Sequence, residues 1–261
     1  MLRRVQDAEL ARLAHLNMVA AFASLTAHKK GGFVQRIGGV VVAVTRSQVA
    51  FFNEVLPVDE TVDAASFVDA VEVARGIGAP WVTHLRDDVD DALLPVVRDL
   101  DLDELDAERP LPAMVLTELP STVELPAGFH VDRVIDPAGF EDYLRTFGRS
   151  RDLVETWLGP GIVDDAAVTL FVGYWDGRPV ATSIGVRSDP VIGVYSVGTM
   201  EGVRRRGFGW AVTASAIVNG ARSGCSIAVL QSSSMGMPMY EAHGFRTLFH
   251  YRVFGDRPAG A

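Results

Sequence analysis

Apolar residues recur along this chain in two alternating rhythms. Leu10, Leu13, Ala14, Met18 and Phe22 fall three or four positions apart, which lays one apolar stripe along a first helix. Short runs rich in Val then read as strands at 40–45 and 49–56. A helix over 66–75, a strand at 81–85, a helix over 91–100 and a strand at 114–119 complete the first half. Past residue 129 the rhythm resumes with a strand to 135, helices over 137–147 and 152–158, and a strand at 169–174. Asp176-Gly177 is a two-residue hairpin turn into a strand at 179–186. A further strand covers 191–200. Ala211, Ala214, Ile217, Val218 and Ala221 then repeat at helical spacing over 208–223, and Gly224 stands where a left-handed cap ends such a helix. A short apolar strand at 226–230, a helix over 236–243 with Pro238 in its first turn and Gly244 closing it, and a strand at 248–254 finish the pattern.

Between these halves the stretch Glu118 to Phe129 holds Pro120, Pro126, Gly128 and small polar residues, the composition of a linker. The boundary falls near Pro120, giving units 1–120 and 121–261. The first unit repeats the order of the last five elements of the second, without its residues. This is the mark of a degenerate structural duplication.

Composition narrows the picture. The chain has 261 residues, 48% of them hydrophobic and 22% charged, the balance of a soluble globular protein. No apolar run is read as reaching the roughly 20 residues of a bilayer span, so no membrane contact is expected. The opening Met-Leu-Arg-Arg and the mixed polar segment after it lack the apolar core of a secretory signal. Cys225 is the only cysteine, which excludes an intramolecular disulfide and suits a cytoplasmic setting. It precedes a buried strand and reads as a small core residue. A net charge of −9 argues against a nucleic-acid partner. The histidines show no metal-ligand spacing, and no metal is expected.

The chemistry concentrates at Arg204-Arg205-Arg206-Gly207-Phe208-Gly209-Trp210-Ala211, between a strand and the first turn of a helix. The first N–H groups of a helix lack internal partners and sit at the positive end of its dipole, which makes them a phosphate site. Gly207 and Gly209 remove side chains that would hold a pyrophosphate off the backbone, and the arginines add charge at the rim. A P-loop would need lysine and a hydroxyl residue where Trp210-Ala211 stand. A dinucleotide fingerprint would need a third small residue where Val212 stands.

Arg204-x-x-Gly207-x-Gly209 resembles the acetyl-CoA pyrophosphate loop of the GCN5-related N-acetyltransferase (GNAT) superfamily. Upstream, Tyr195-Ser196-Val197-Gly198-Thr199 is similar to the strand whose splayed backbone pairs with pantetheine there. Downstream, LQSSSMGMPMYEAHGF at 230–245 is similar to the second motif, a strand and a helix that carries a tyrosine and ends in Gly-Phe. The resemblance covers residues 129–254. It implies two α/β (α+β) acetyltransferase-like domains, each a mixed, mostly antiparallel twisted sheet flanked by helices, the second one catalytic. It further implies that Val197, Gly198 and Thr199 offer main-chain groups to pantetheine, and that Arg204, Arg205, Arg206, Gly207, Phe208, Gly209 and Trp210 hold the pyrophosphate. Ser233 and Ser234 stand where many members have a cofactor-contacting asparagine. Tyr240 falls on the tyrosine that protonates the departing thiolate. A phenol with a pKa near about 10 suits a thiol near about 8.5.

The implied function is acetyl transfer from acetyl-CoA, as co-substrate, to a primary amine of a small molecule. A non-catalytic acyl-CoA-binding module and an acetyltransferase acting on a protein amine remain as alternatives, and no residue is assigned as general base. The first half carries Asp59, Glu60, Asp63 and Asp69 in place of the arginine-glycine loop, and these carboxylates would repel a pyrophosphate. That half is expected to hold no cofactor.

Overall fold

A single sheet runs through the whole computed structural model, which describes residues 2–256 apart from 60, 106, 109 and 148–150, with backbone only for 2–5. In chain order the first half contributes α1 (Leu2–Ala27), β1 (Phe33–Ile37), β2 (Val40–Val44), β3 (Asn53–Pro57), α2 (Ala64–Gly76), β4 (Val82–Arg86), α3 (Leu94–Asp99), β5 (Leu102–Leu105) and β6 (Leu111–Leu116). The second half adds β7 (Phe129–Arg133), α4 (Pro137–Thr146), α5 (Arg151–Glu155), β8 (Val168–Trp175), β9 (Arg178–Ser188), β10 (Val191–Thr199), α6 (Phe208–Arg222), β11 (Ile227–Gln231), α7 (Met237–Ala242) and β12 (Arg246–Asp256).

The strand order is β1-β2-β3-β4-β12-β6-β11-β10-β9-β8-β7, with β5 also paired to β12. Two pairs are parallel, β3 with β4 and β10 with β11, and the others are antiparallel. The last strands of the halves change places. β6 lies against β11 in register Ala228↔Leu116 to Gln231↔Ala113, and β12 lies against β4 in register Tyr251↔Arg86 to Phe254↔Thr83. The two halves are therefore joined through the ladder itself.

One face of the sheet carries α1, α4 and α5, and the other carries α2, α3, α6 and α7. α1 starts well before the predicted stripe. Its window Gln6–Ala27 reaches a mean hydropathy of 1.2, the length and apolarity of a bilayer span, which corrects the expectation that no run comes close. Leu10, Met18, Val19 and Leu25 are turned into the core instead, each contributing about 1.5–3 kcal/mol by leaving water. α6 is held close to the sheet by small residues: a Cβ added at Gly220 would lie 2.6 Å from Ile192 Cβ. Gly224, at φ +98°, ends it as predicted.

Elsewhere the elements differ from expectation for identifiable reasons. The predicted strand at 49–56 opens with a 3-10 turn, Ala50–Phe52, because Asn53 binds local backbone: its Nδ2 donates to Ser47 O and Pro80 O, and its Oδ1 accepts from Arg46 N–H. The predicted helix over 91–100 is a 3-10 turn, Asp90–Leu93, followed by the single-turn α3. The predicted helix over 152–158 is the five-residue α5.

Candidate active site

β10 pairs with β11 only over Val191–Gly193, and the two parallel strands then part. On its other edge β10 stays paired with β9 as far as Thr199, through a bulge between Tyr195 and Gly198 in which Ser196 takes φ +50°. A bulge of this kind bends the strand and sharpens its twist. The result is a wedge whose walls are Val194–Thr199 on one side and the end of β11 on the other. The predicted pantetheine residues Val197, Gly198 and Thr199 all lie on the β10 wall.

From Thr199 the chain makes one short turn and enters α6. Arg205 (φ +63°) and Gly207 (φ +82°) are both left-handed, a backbone alternation that converges successive N–H groups. Gly207 is the N-cap of α6 and supplies no side chain to it, so the N–H groups of Phe208, Gly209 and Trp210 have no side-chain acceptor at the helix start. A Cβ at Gly209 would lie 3.3 Å from Thr199 Oγ1 and 3.6 Å from Met239 Sδ, so glycine here lets α6, β10 and α7 meet.

The arginines are exposed and differently anchored. Arg204 Nε donates to Thr199 O at 3.1 Å, and the Arg206 guanidinium sits 4.5 Å from the centre of the Trp175 ring. Arg205 is exposed on the turn itself. Two predicted residues have side chains committed elsewhere. Phe208 is buried and stacks on Phe129 with ring centres 4.4 Å apart, leaving only its N–H for a ligand. Trp210 stacks on His243 at 3.7 Å, which ties the first turn of α6 to the end of α7.

Tyr240 is 6% exposed, on α7, in the same core cluster as Val194 of β10 and Leu230 of β11, the two strands that bound the wedge. Burial pushes its phenol up to about 12, with the neighbouring Thr213 hydroxyl pulling the other way. The group is thus held as a neutral donor throughout the ordinary pH range. Ser233 and Ser234 are exposed beyond β11, and Ser233 Oγ accepts from Gly236 N–H at 3.3 Å at the start of α7. Cys225 is buried in the same cluster as Tyr240, as a core residue.

Several groups at the wedge, or the contacts they make, carry no signal in the sequence. Gln231 ends β11, and its Nε2 is buried with no hydrogen-bond partner among the described residues. The Tyr195 hydroxyl donates to Asn17 Oδ1 at 2.6 Å, and Asn17 Nδ2 donates to Val186 O and Ser188 Oγ, fixing α1 across β9 and β10. On the α4 side, Phe147 lies against Gly198, and the Tyr143 hydroxyl lies beside Ser196 and Thr182. Only a three-dimensional arrangement brings Asn17, Tyr143, Phe147 and Gln231 to β10.

The first half holds the counterpart of the acidic segment. Asp63 caps α2, its carboxylate accepting from Ser66 N–H at 2.8 Å and from Ser66 Oγ at 2.7 Å. Asp59 accepts from Thr61, Asp69 is exposed on α2, and Glu60 lies outside the described residues. An intramolecular anion stands where α6 presents bare N–H groups.

No family model matches the sequence, and no curated protein matches it. Solved structures do. The chain is similar to a GCN5-related N-acetyltransferase from Kribbella flavida, at 22% identity and a TM-score of 0.68, over 95% of this chain and 96% of that one. A GCN5-related N-acetyltransferase from Sphaerobacter thermophilus aligns at 16% identity and a TM-score of 0.57, over 84% and 80% of the two chains. A tandem GNAT protein from the clavulanic acid biosynthesis pathway aligns at 12% identity and a TM-score of 0.55, over 85% and 79%.

Proposed function

With the fold of the GCN5-related N-acetyltransferases as its framework, we propose that this chain is an acetyl-CoA-dependent N-acetyltransferase acting on a primary amine of a small molecule. One observation carries the reading: a strand wedge runs directly into a glycine-capped helix start. That continuity provides main-chain partners for an extended thiol arm and then for a diphosphate.

The donor supplies a thioester carbonyl for attack and a thiolate as leaving group. Arg204, Arg205 and Arg206 draw the diphosphate to the α6 turn, and the N–H groups of Phe208, Gly209 and Trp210 bind it. Main-chain groups of Val197, Gly198 and Thr199 align the thiol arm along β10, and an N–H there stabilises the oxyanion. Tyr240 delivers the proton that the thiolate needs. Holding both reactants in one wedge supplies much of the acceleration through orientation alone. Residues 1–120 serve as a partner unit without its own cofactor.

The test is a thiol-release assay with acetyl-CoA against a panel of amines, paired with calorimetry of coenzyme A. Binding with turnover supports the enzyme. Binding without turnover of any amine favours the acyl-CoA-binding module, for which the near-complete burial of Tyr240 is the supporting feature. No heat on adding coenzyme A would remove both.

A further inference from the structure

The bulge in β10 is backed by aromatic rings from both halves of the chain. The end of α4 sets Phe147 against the cofactor strand: a Cβ at Gly198 would lie 3.3 Å from its ring. Phe147 meets Trp157 edge to face at 5.7 Å, and Trp157 stacks on Phe52 at 4.5 Å with the planes 10° apart. Phe52 belongs to the 3-10 turn before β3, so the wall is assembled across the two halves. Ser47 Oγ and Thr156 Oγ1, 2.8 Å apart, pin that junction. Phe52 and Phe147 are half-buried and keep ring surface free, while Trp157 is 1% exposed. The Trp157 Nε1–H is buried and has no hydrogen-bond partner among the described residues.

Several carboxylates of the surrounding elements are already committed, while Asp152 on α5 and Asp164 after it are exposed. Glu141 and Glu155 bind Arg151, Asp142 binds Arg145 and accepts from the Tyr174 hydroxyl, and Asp165 accepts from Ser24. Lys29 donates to the Glu155 carbonyl. A planar apolar body would find ring faces and edges to pack on.

Resting on the acyl-transfer reading above, we propose that the acceptor is an arylalkylamine, a primary amine on a single aromatic ring system, seated against the half-buried rings of Phe147 and Phe52, which the buried Trp157 braces from behind. Apolar surroundings disfavour the ammonium form, so the site delivers the amine in the neutral state that attack requires. The nitrogen then bonds to the thioester carbon as the C–S bond breaks, the thiolate takes a proton, and the nitrogen loses one to water.

The full-length chain with acetyl-CoA tests this in a thiol-release assay comparing phenethylamine, tyramine and tryptamine with spermidine, glucosamine and a lysine peptide. The aryl amines are expected to exceed the others in kcat/KM by about 50-fold or more, as a buried ring contact of this size allows. Phe147→Ala should lower kcat/KM for the aryl amines about 30-fold, mainly through KM, with the calorimetric Kd for acetyl-CoA within about threefold of the parent. Phe52→Ala, which removes the ring stacked on Trp157 from the first half, should shift KM in the same direction. Preference for spermidine, glucosamine or the peptide, turnover of none of the panel, or aryl kinetics unchanged in both alanine variants overturns the inference. Coenzyme A still binding in those cases leaves the donor half of the acyl-transfer reading standing. Coenzyme A failing to bind overturns that reading itself.

Discussion

The parallel strand pairs β3/β4 and β10/β11 begin alike and end differently. Each pairs briefly, over Glu54↔Val82 and Val55↔Thr83 in the first half and over three residues in the second, and each is followed by a loop and a helix. In the first half the groups past the pairing are taken up internally. His15 Nε2–H, from α1, donates to Pro57 O at 2.5 Å, and Asp90 accepts from Arg86 N–H at 2.7 Å. Asp63 then closes the start of α2. In the second half the loop brings arginines and glycines, and the start of α6 is left without a side-chain cap. Topology supplies the opening twice. Whether a ligand is held depends on which side chains have filled it.

Exchanging the caps breaks this comparison most severely. Gly207→Asp would give α6 the carboxylate that α2 already has, and aspartate tolerates a left-handed backbone better than most residues. Affinity for coenzyme A should fall about 1000-fold, or about 4 kcal/mol, in a calorimetric titration. The melting temperature should move by no more than a few degrees. An affinity within tenfold of the parent would mean that the α6 turn is not the phosphate site.

The plug in the first half should show itself in acid. Burial lowers the His15 imidazole from its ordinary value to about 4, and its Nδ1 takes a hydrogen bond from the Tyr251 hydroxyl at 3.0 Å, so it is neutral when folded. The unfolded chain binds the proton first. Stability from this residue is therefore complete above about pH 6.5 and is lost as pH falls towards 4, by up to about 3 kcal/mol. Burial raises Glu54, whose contribution runs the opposite way. The difference between the parent and His15→Leu removes that background. Melting curves between pH 4 and 7 should be flatter for the variant, and equal slopes would contradict a neutral buried His15.

Tyr240→Phe sharpens the comparison from the other side, since the first half has no proposed acid. Turnover should fall about 100-fold with coenzyme A affinity unchanged. Because the phenol is raised to about 12, the parent should show no loss of kcat between pH 8 and 10 from ionisation of this group. A clear alkaline limb there would point to another acid. The smallest effect is expected from Asp63→Ala, which should cost about 1 kcal/mol of stability through the lost cap. Coenzyme A should still not bind the first half, because His15 and Asp90 keep their positions.

The α6 turn was legible in the sequence because its chemistry is local: two glycines and three arginines lie within six consecutive positions. The flanking strands and helices of the second half were legible for the same reason, since their apolar periods are long and bounded by Gly and Pro. β1 was hidden because Val34, Gln35 and Arg36 are exposed on an edge strand and show no buried face. β5 was hidden because it is short and acidic, and it is held from outside by Arg252, whose guanidinium takes both Glu104 oxygens at 2.9 and 2.6 Å. The aromatic wall and the Tyr195–Asn17 bond join distant positions, and no local spacing encodes them. The exchange of β6 and β12 was equally invisible, because strand partners are chosen by the assembled sheet.

That exchange limits how the protein can be divided or can evolve. A chain cut near Pro120 would leave each piece with a raw sheet edge and a ribbon shaped for the other piece. Separate expression of 121–261 should give an insoluble or aggregating product, because β11 would lose β6 and β12 would lose β4. A unit that supplies one neighbouring strand is indispensable whatever its own ligand chemistry, and deletion would be far harder for selection to tolerate than continued drift of its loops.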